Sequence, residues 1–334
     1  MPYPITLFTG QFTDLTLEEV AEKAAAWGYD GLELACWGGH FEVEKALSDP
    51  AYCKYVRSTL DRYGLGCRVL STHFVSQAVC DNPIDERHHN VLPSSIWGDG
   101  EPEGVRRRAE EEVKRTAQAA AAFGADVVVG FTGSSIFHMF AGWPPLPEGA
   151  IDRGFADFRT RWARIMDAFR AQGVRYALEV HPCEIAYDYW TTARMLQLME
   201  DYPEYGINFD PSHLHWQGID ETAFIRDFAD KIYHVHCKDA VRRLDGRNGI
   251  LASHLPSGSA RRGWDFVSVG HGRVPFEDII RNLHEVGYTG DLSVEWEDSG
   301  MARDQGAQES LGYLQRLNFE PSAISWEASL TQEH

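Results

Sequence analysis

Four residues in the second half of the chain carry side chains that bind divalent cations, and each stands near the end of a short apolar run. Glu179 closes Tyr-Ala-Leu-Glu, Asp210 closes Gly-Ile-Asn-Phe-Asp, His236 closes Tyr-His-Val-His and Glu295 closes Leu-Ser-Val-Glu. Each run has β character. Strands of a parallel barrel all point the same way, so their C-terminal ends meet on one face. Three carboxylates and one imidazole meeting there make an oxygen-rich ligand set for a hard or borderline divalent ion. Without such an ion, carboxylates this close would raise one another's pKa values. Taken singly, each residue reads more readily as a helix cap, a surface ion pair or a core histidine. Four on consecutive strands read as a metal site.

Side-chain parity supports convergence, because residues i and i+2 of a strand share a face. Ala177 and His181 share the face of Glu179, His234 and Lys238 that of His236, and Ser293 and Glu297 that of Glu295. The opposite parity, Leu178, Val180, Val235, Leu292 and Val294, is apolar and is expected against helices.

Further candidates surround the four. His73 at the end of the third strand and His138 just past the fourth are candidate substrate contacts or proton carriers, with plain structural roles as the alternative. His181 is read as a supporting or substrate-contacting group. Lys238 lines the same face, either to polarise a carbonyl or bind an anionic group, or in an ion pair. His234 reads as barrel filling, and Glu33 as structural pairing or a substrate hydrogen bond. Trp37, Trp97, Trp143, Trp190, Trp216, Trp264 and Trp296 fall near strand ends or in long loops, where some can cover the C–H face of a sugar. There is no Gly-x-Ser-x-Gly, Walker sequence or Cys–His pair that would propose a covalent nucleophile.

These groups need a frame, and the pattern supplies about eight strand–helix units. Strands are expected at 5–9, 31–36, 67–74, 126–131, 176–180, 205–210, 232–237 and 291–296. Helices are expected at 16–27, 43–63, 104–123, 155–171, 191–200, 221–228, 276–286 and 302–317, the first with a Thr16/Glu19 capping box. Alternation of this kind implies βαβ units, and eight of them match a closed (β/α)8 barrel better than an open six-strand sheet. No Gly-x-Gly-x-x-Gly follows the first strand, which argues against a dinucleotide fold. With no linker, repeat or low-complexity tract to split it, the chain reads as one barrel domain over 1–334. Three connections, 75–103, 133–153 and 239–275, are long and follow strands, so they belong to the C-terminal face as lids or binding loops.

The balance of 31 basic against 50 acidic residues gives the 334-residue chain a formal charge of −19. Such a surface repels phosphate backbones and anionic lipid, so neither nucleic acid nor membrane is expected as a partner. No apolar run approaches a membrane span, no signal peptide is evident, and six scattered cysteines without a Cys-x-x-Cys pair suit a reduced, cytoplasmic protein.

Several segments together resemble the sugar isomerase/epimerase family of xylose-isomerase-like barrels, a group that includes endonuclease IV. They are Leu-Glu-Val-His at 178–181, the Asp-x-x-His of Asp210 and His213, the His-x-His-x-Lys-Asp of 234–239, the Gly-His-Gly-Arg-Val-Pro-Phe turn at 270–276, and the run from Gly287 to Asp298. The resemblance implies a (β/α)8 barrel. It also implies that Glu179, Asp210, His236 and Glu295 hold a divalent metal, manganese first, with Mg2+, Co2+ or Zn2+ as the other candidates. It places the family's substrate-contacting histidine on His213 and its proton-moving pair on Glu179 and Glu295. The reaction it implies is isomerisation or epimerisation of a sugar or keto-sugar, by proton abstraction next to a carbonyl through a metal-stabilised enediolate. A 3-keto-glycoside lyase using the same site is the alternative. An endonuclease IV-like phosphodiesterase and a non-catalytic sugar-binding subunit are weaker ones. Barrels of this kind also form homo-oligomers. The chain departs from compact members in its three long loops, the last of which carries Arg242, Arg243, Arg247, Arg261 and Arg262.

Overall fold

The structure, a computed structural model, describes residues 2–324 and 326–330. Among the described residues ten strands form: β1 Ile5–Phe8, β2 Gly31–Ala35, β3 Val69–Ser71, β4 Val127–Gly130, β5 Arg175–Glu179, β6 Tyr205–Phe209, β7 Ile232–Cys237, β8 Asp239–Arg242, β9 Trp264–Val267 and β10 Leu292–Val294. Eight of them close a parallel barrel in the order β1-β10-β7-β6-β5-β4-β3-β2, and β1 meets both β2 and β10. This is the (β/α)8 architecture that the alternating pattern predicts.

The parity argument holds. Leu178, Val180, Val235, Leu292 and Val294 join the large apolar core shared with the helices. Ala177, on the face of Glu179, packs instead with Val69, Val127 and Val129 in a separate small cluster. Thr6, Glu33, Ser71, Asn208, His234, His236 and Ser293 are buried polar residues on the strands, so a polar layer lies above that apolar plug. Such layering fills the barrel and leaves its chemistry at the C-terminal mouth.

Most helices lie where the periodicity places them. Leu17–Trp27 starts at a capping box in which the Thr16 hydroxyl accepts from the Glu19 N–H and the Glu19 carboxylate accepts from the Thr16 N–H. The expected helix at 43–63 is two helices, Val43–Ser48 and Tyr52–Arg62. Pro50 explains the break, since it drives Asp49 out of the helical region, to ψ 106°. A helix the periodicity does not reveal, Pro211–Gln217, starts directly after Asp210, whose side chain caps it through the Ser212 N–H.

The long connections are structured. The one after β7 holds the antiparallel pair β8–β9. Its base is fastened by Asp239. One carboxylate oxygen accepts from the N–H groups of Ala240 and Val274, and the other from those of Gly270 and Gly272. A Cβ on Gly272 would stand 2.0 Å from Asp239 Oδ1, so only glycine admits this approach.

Candidate metal centre

The four chelating residues meet. Glu179 ends β5, Asp210 follows β6, His236 lies in β7 and Glu295 follows β10. One ligand atom from each lies within 4.8 Å of the other three, and all four side chains are buried. The strand register is staggered: Glu179 pairs with Asn208, two residues before Asp210, Asn208 pairs with His234, two before His236, and His236 pairs with Ser293, two before Glu295, so the four side chains share a face and meet at the mouth. His236 Nδ1 is 3.1 Å from both Glu179 Oε2 and Glu295 Oε2. Asp210 Oδ2 is buried and faces two cationic groups, Lys238 Nζ at 2.9 Å and His213 Nε2 at 3.3 Å. Three carboxylates and one imidazole nitrogen converging in this way suit a divalent ion of the hard or borderline class.

Histidines and Lys238 surround this quartet. His73 Nε2 is 3.0 Å from Glu179 Oε2, and His213 Nε2 is 3.2 Å from Glu179 Oε1 and 3.3 Å from Asp210 Oδ2. His181 packs edge-on against His213, with ring centroids 4.2 Å apart, and its buried Nδ1 has no partner. Lys238 Nζ reaches Glu295 Oε2 at 2.7 Å, Asp210 Oδ2 at 2.9 Å and Glu179 Oε1 at 3.6 Å. His138 is different. It stands exposed in a single turn at Phe137–Met139. His73 also differs from its expected place, since it opens the short helix His73–Gln77 rather than ending β3.

The charges are strongly coupled. Burial opposes ionisation of Glu179, yet Lys238 and His236 hold its carboxyl well below the ordinary range. The same contest, with Lys238 and His213 on the winning side, brings Asp210 down to about 2. Burial and Lys238 work against a charged His213, but Asp210 and Glu179 raise its pKa. For His181, burial and the like charges of His213 and Lys238 outweigh Glu179 and Asp210, and its pKa is pushed well down. The site thus combines ionised carboxylates with two imidazoles of raised pKa, His213 and His236, and one of lowered pKa, His181.

A second cluster lies directly beneath. Glu33, on β2, is fully buried and meets His236 Nε2 at 3.1 Å through both oxygens, His234 Nε2 at 2.8 Å, and the Ser71 hydroxyl. Sequence reasoning leaves Glu33 open between structural pairing and substrate contact, and the geometry assigns it the pairing. It also misses Asn208, whose amide donates to Glu179 Oε2 at 3.2 Å, and Gln11, whose amide donates to Glu295 Oε1 at 3.2 Å. Asn208 had a signal, because it sits two residues before Asp210. Gln11 had none beyond following the first strand.

Aromatic rings wall the mouth on two sides. Phe8 lies against His236 and Trp37, and Trp37 against His73 and Phe74. Across from them, Trp216 stacks face to face on Trp264 at 4.4 Å. Trp264 meets Phe266, and Phe266 meets His213 at 5.3 Å. Trp143 and Trp190 are 81% and 78% exposed and take no part.

Fold and site together define an α/β barrel with a chelating quartet at the C-terminal mouth. The chain belongs to the xylose isomerase-like TIM barrel family, whose sequence model matches residues 21–317. Among relatives, the uncharacterised protein YfiH of Bacillus subtilis (strain 168) is 31% identical over 180 residues, a match spanning 52% of this chain and only 57% of that protein's length. An inosose dehydratase of Lacticaseibacillus casei is 28% identical over 163 residues, 45% of this chain and 53% of the relative. Among solved structures, the 3-keto-D-glucoside 4-epimerase YcjR of E. coli superposes with a TM-score of 0.65 at 14% identity, covering 94% of this chain and 99% of the other. The IOLI protein with a bound zinc atom superposes with a TM-score of 0.64 at 16% identity, covering 96% and 100%. At these identities the structural likenesses establish the fold. Among the described residues, no helix is long and apolar enough to cross a membrane.

Proposed function

We propose that the protein is a divalent-metal-dependent isomerase or epimerase acting on a sugar or keto-sugar by removing a proton next to a carbonyl. The observation that carries this reading is the buried quartet Glu179, Asp210, His236 and Glu295, whose ligand atoms lie within 4.8 Å of one another. These residues would hold the ion, with manganese as the first candidate. When bound, a divalent ion supplies Lewis-acid polarisation of the substrate carbonyl and acidifies the adjacent C–H.

The rest is the work of the chain's own groups. Glu179 and Glu295 are candidate bases flanking the same space, so one removes the proton and the other returns one. Return to the opposite face gives an epimer, and return to the neighbouring carbon gives an isomer. The enediolate between the two steps needs positive charge, and His213 and Lys238 lie beside both carboxylates or their neighbour Asp210 to orient and stabilise its oxygens. The hairpin and its aromatic rings limit water at the mouth.

The relative named an inosose dehydratase favours a second reading, in which the same proton abstraction ends in elimination. On a 3-keto-glycoside that elimination would expel the anomeric substituent, with an acid of the site assisting departure. Incubation with ketoses and with 3-keto-glycosides in deuterium oxide separates the readings. Carbon-bound deuterium without loss of a substituent supports isomerisation or epimerisation, and an unsaturated product or released aglycone supports the second reading. No exchange and no product from any of them, with metal supplied, contradicts both.

A further inference from the structure

A cleft of about 310 Å³ opens beside Glu295, lined by Gln11, Asp265, Phe266, Trp296, Glu297 and Asp298 together with Ser257 and Ser299. It adjoins the metal centre directly. Gln11 donates to Glu295, Phe266 meets His213, and the Phe266 ring lies 4.9 Å from Lys238 Nζ. Two aromatic side chains give it apolar walls of the kind that cover the C–H faces of a sugar.

Every charged side chain lining this cleft is an acid, and two of the three are committed elsewhere. Asp265 accepts from the Gly258 N–H and pairs with Arg243, and Asp298 accepts from Ser268 and from the Gly300 N–H. Glu297 is not committed in this way. Its side chain is 40% exposed, it accepts no hydrogen bond from the protein, and its partner is Lys238 at 3.7 Å. Lys238 is itself already satisfied by Glu295 and Asp210 at shorter range.

The arginines that made the 239–275 loop look like an anion site do not line the cleft. Arg243 is spent on Asp265. Arg262 donates to the carbonyls of Leu255 and Trp264 and lies over the Trp264 ring, while Arg242, Arg247 and Arg261 are exposed. An anionic group entering here would lose water and meet three acidic side chains with no arginine fork to receive it.

We infer that this cleft receives the uncharged, polyhydroxylated body of the substrate, that Glu297 accepts hydrogen bonds from its hydroxyls, and that phosphorylated substrates are rejected there. The inference rests on the sugar reading above and narrows it to neutral substrates. The test uses the full chain loaded with Mn2+ and two matched pairs of probes, D-fructose with D-fructose 6-phosphate and D-xylulose with D-xylulose 5-phosphate. Affinity is read by calorimetry and exchange by deuterium uptake. The expected result is at least tenfold preference for the neutral member of each pair, narrowed in Glu297→Gln. Phe266→Ala is expected to weaken the neutral members while leaving the sign of the charge preference unchanged. Phosphorylated members bound equally or more tightly overturn the inference and leave the sugar reading standing, as does an unchanged preference in Glu297→Gln. Failure of every probe to bind or exchange counts against the sugar reading itself, and the inference falls with it.

Discussion

His236 and Glu33 are joined through both carboxylate oxygens at 3.1 Å from Nε2, while the other ring nitrogen, Nδ1, faces Glu179 and Glu295. A carboxylate on the far side of a ligating imidazole fixes the ring and its tautomer and raises its basicity. Glu33→Gln is therefore expected to weaken binding of Mn2+ by roughly 10- to 100-fold. Calorimetric titration of the metal checks this, and an unchanged dissociation constant would remove Glu33 from the account.

Lys238 places a fixed positive charge against Glu295 and Asp210. Two effects of Lys238→Met follow, of opposite sign. The metal-free protein loses a counter-charge for buried carboxylates and is expected to lose about 3–5 kcal/mol of stability. The divalent ion no longer competes with an ammonium group, so its affinity is expected to rise on the order of tenfold or more. Thermal unfolding with and without Mn2+ reads both, and a variant that binds metal more weakly than the wild type contradicts this role.

Glu184 predicts a pH dependence of stability. Burial, followed by the nearby Asp81, pushes its carboxyl up to about 8 from an ordinary 4.5, although it accepts from the N–H groups of Thr132 and Gly133. A group whose folded pKa is raised contributes stability that is fully present below its unfolded pKa and is lost as pH rises through the folded one. Wild-type stability is thus expected to fall relative to Glu184→Gln between about pH 4.5 and 8, on the order of 1.4 kcal/mol per pH unit, and to level off above. Parallel melting curves of the two proteins across pH 5 to 9 would contradict it.

Asp239 holds the hairpin base with four accepted N–H bonds. Asparagine keeps one oxygen and turns its NH2 toward two donors, so Asp239→Asn is expected to cost about 2–4 kcal/mol. Hydrogen exchange should rise first in β8, β9 and 270–274. Full protection there in the variant would show that the hairpin does not depend on this residue.

The strands and the quartet were legible because a short apolar run ending in an acid or imidazole is a local pattern, and parity tells which way it points. The frame fails to be legible where tertiary structure decides. Glu33 is 201 residues from its partner His234, so no spacing rule connects them. The hairpin within 239–275 carries weak alternation and depends on Asp239 gripping the N–H groups of residues more than thirty positions away. The break at Pro50 and the helix opened by Asp210-Pro211 escaped the periodicity, although both follow from what proline does to its neighbours.

Anomalous diffraction from crystals soaked in Mn2+ tests the central claim most directly. The account predicts one peak per chain, bounded by Glu179, Asp210, His236 Nδ1 and Glu295, and its loss in Asp210→Asn. A peak bound elsewhere, three ions in place of one, or a quartet that stays empty at saturating metal would contradict it.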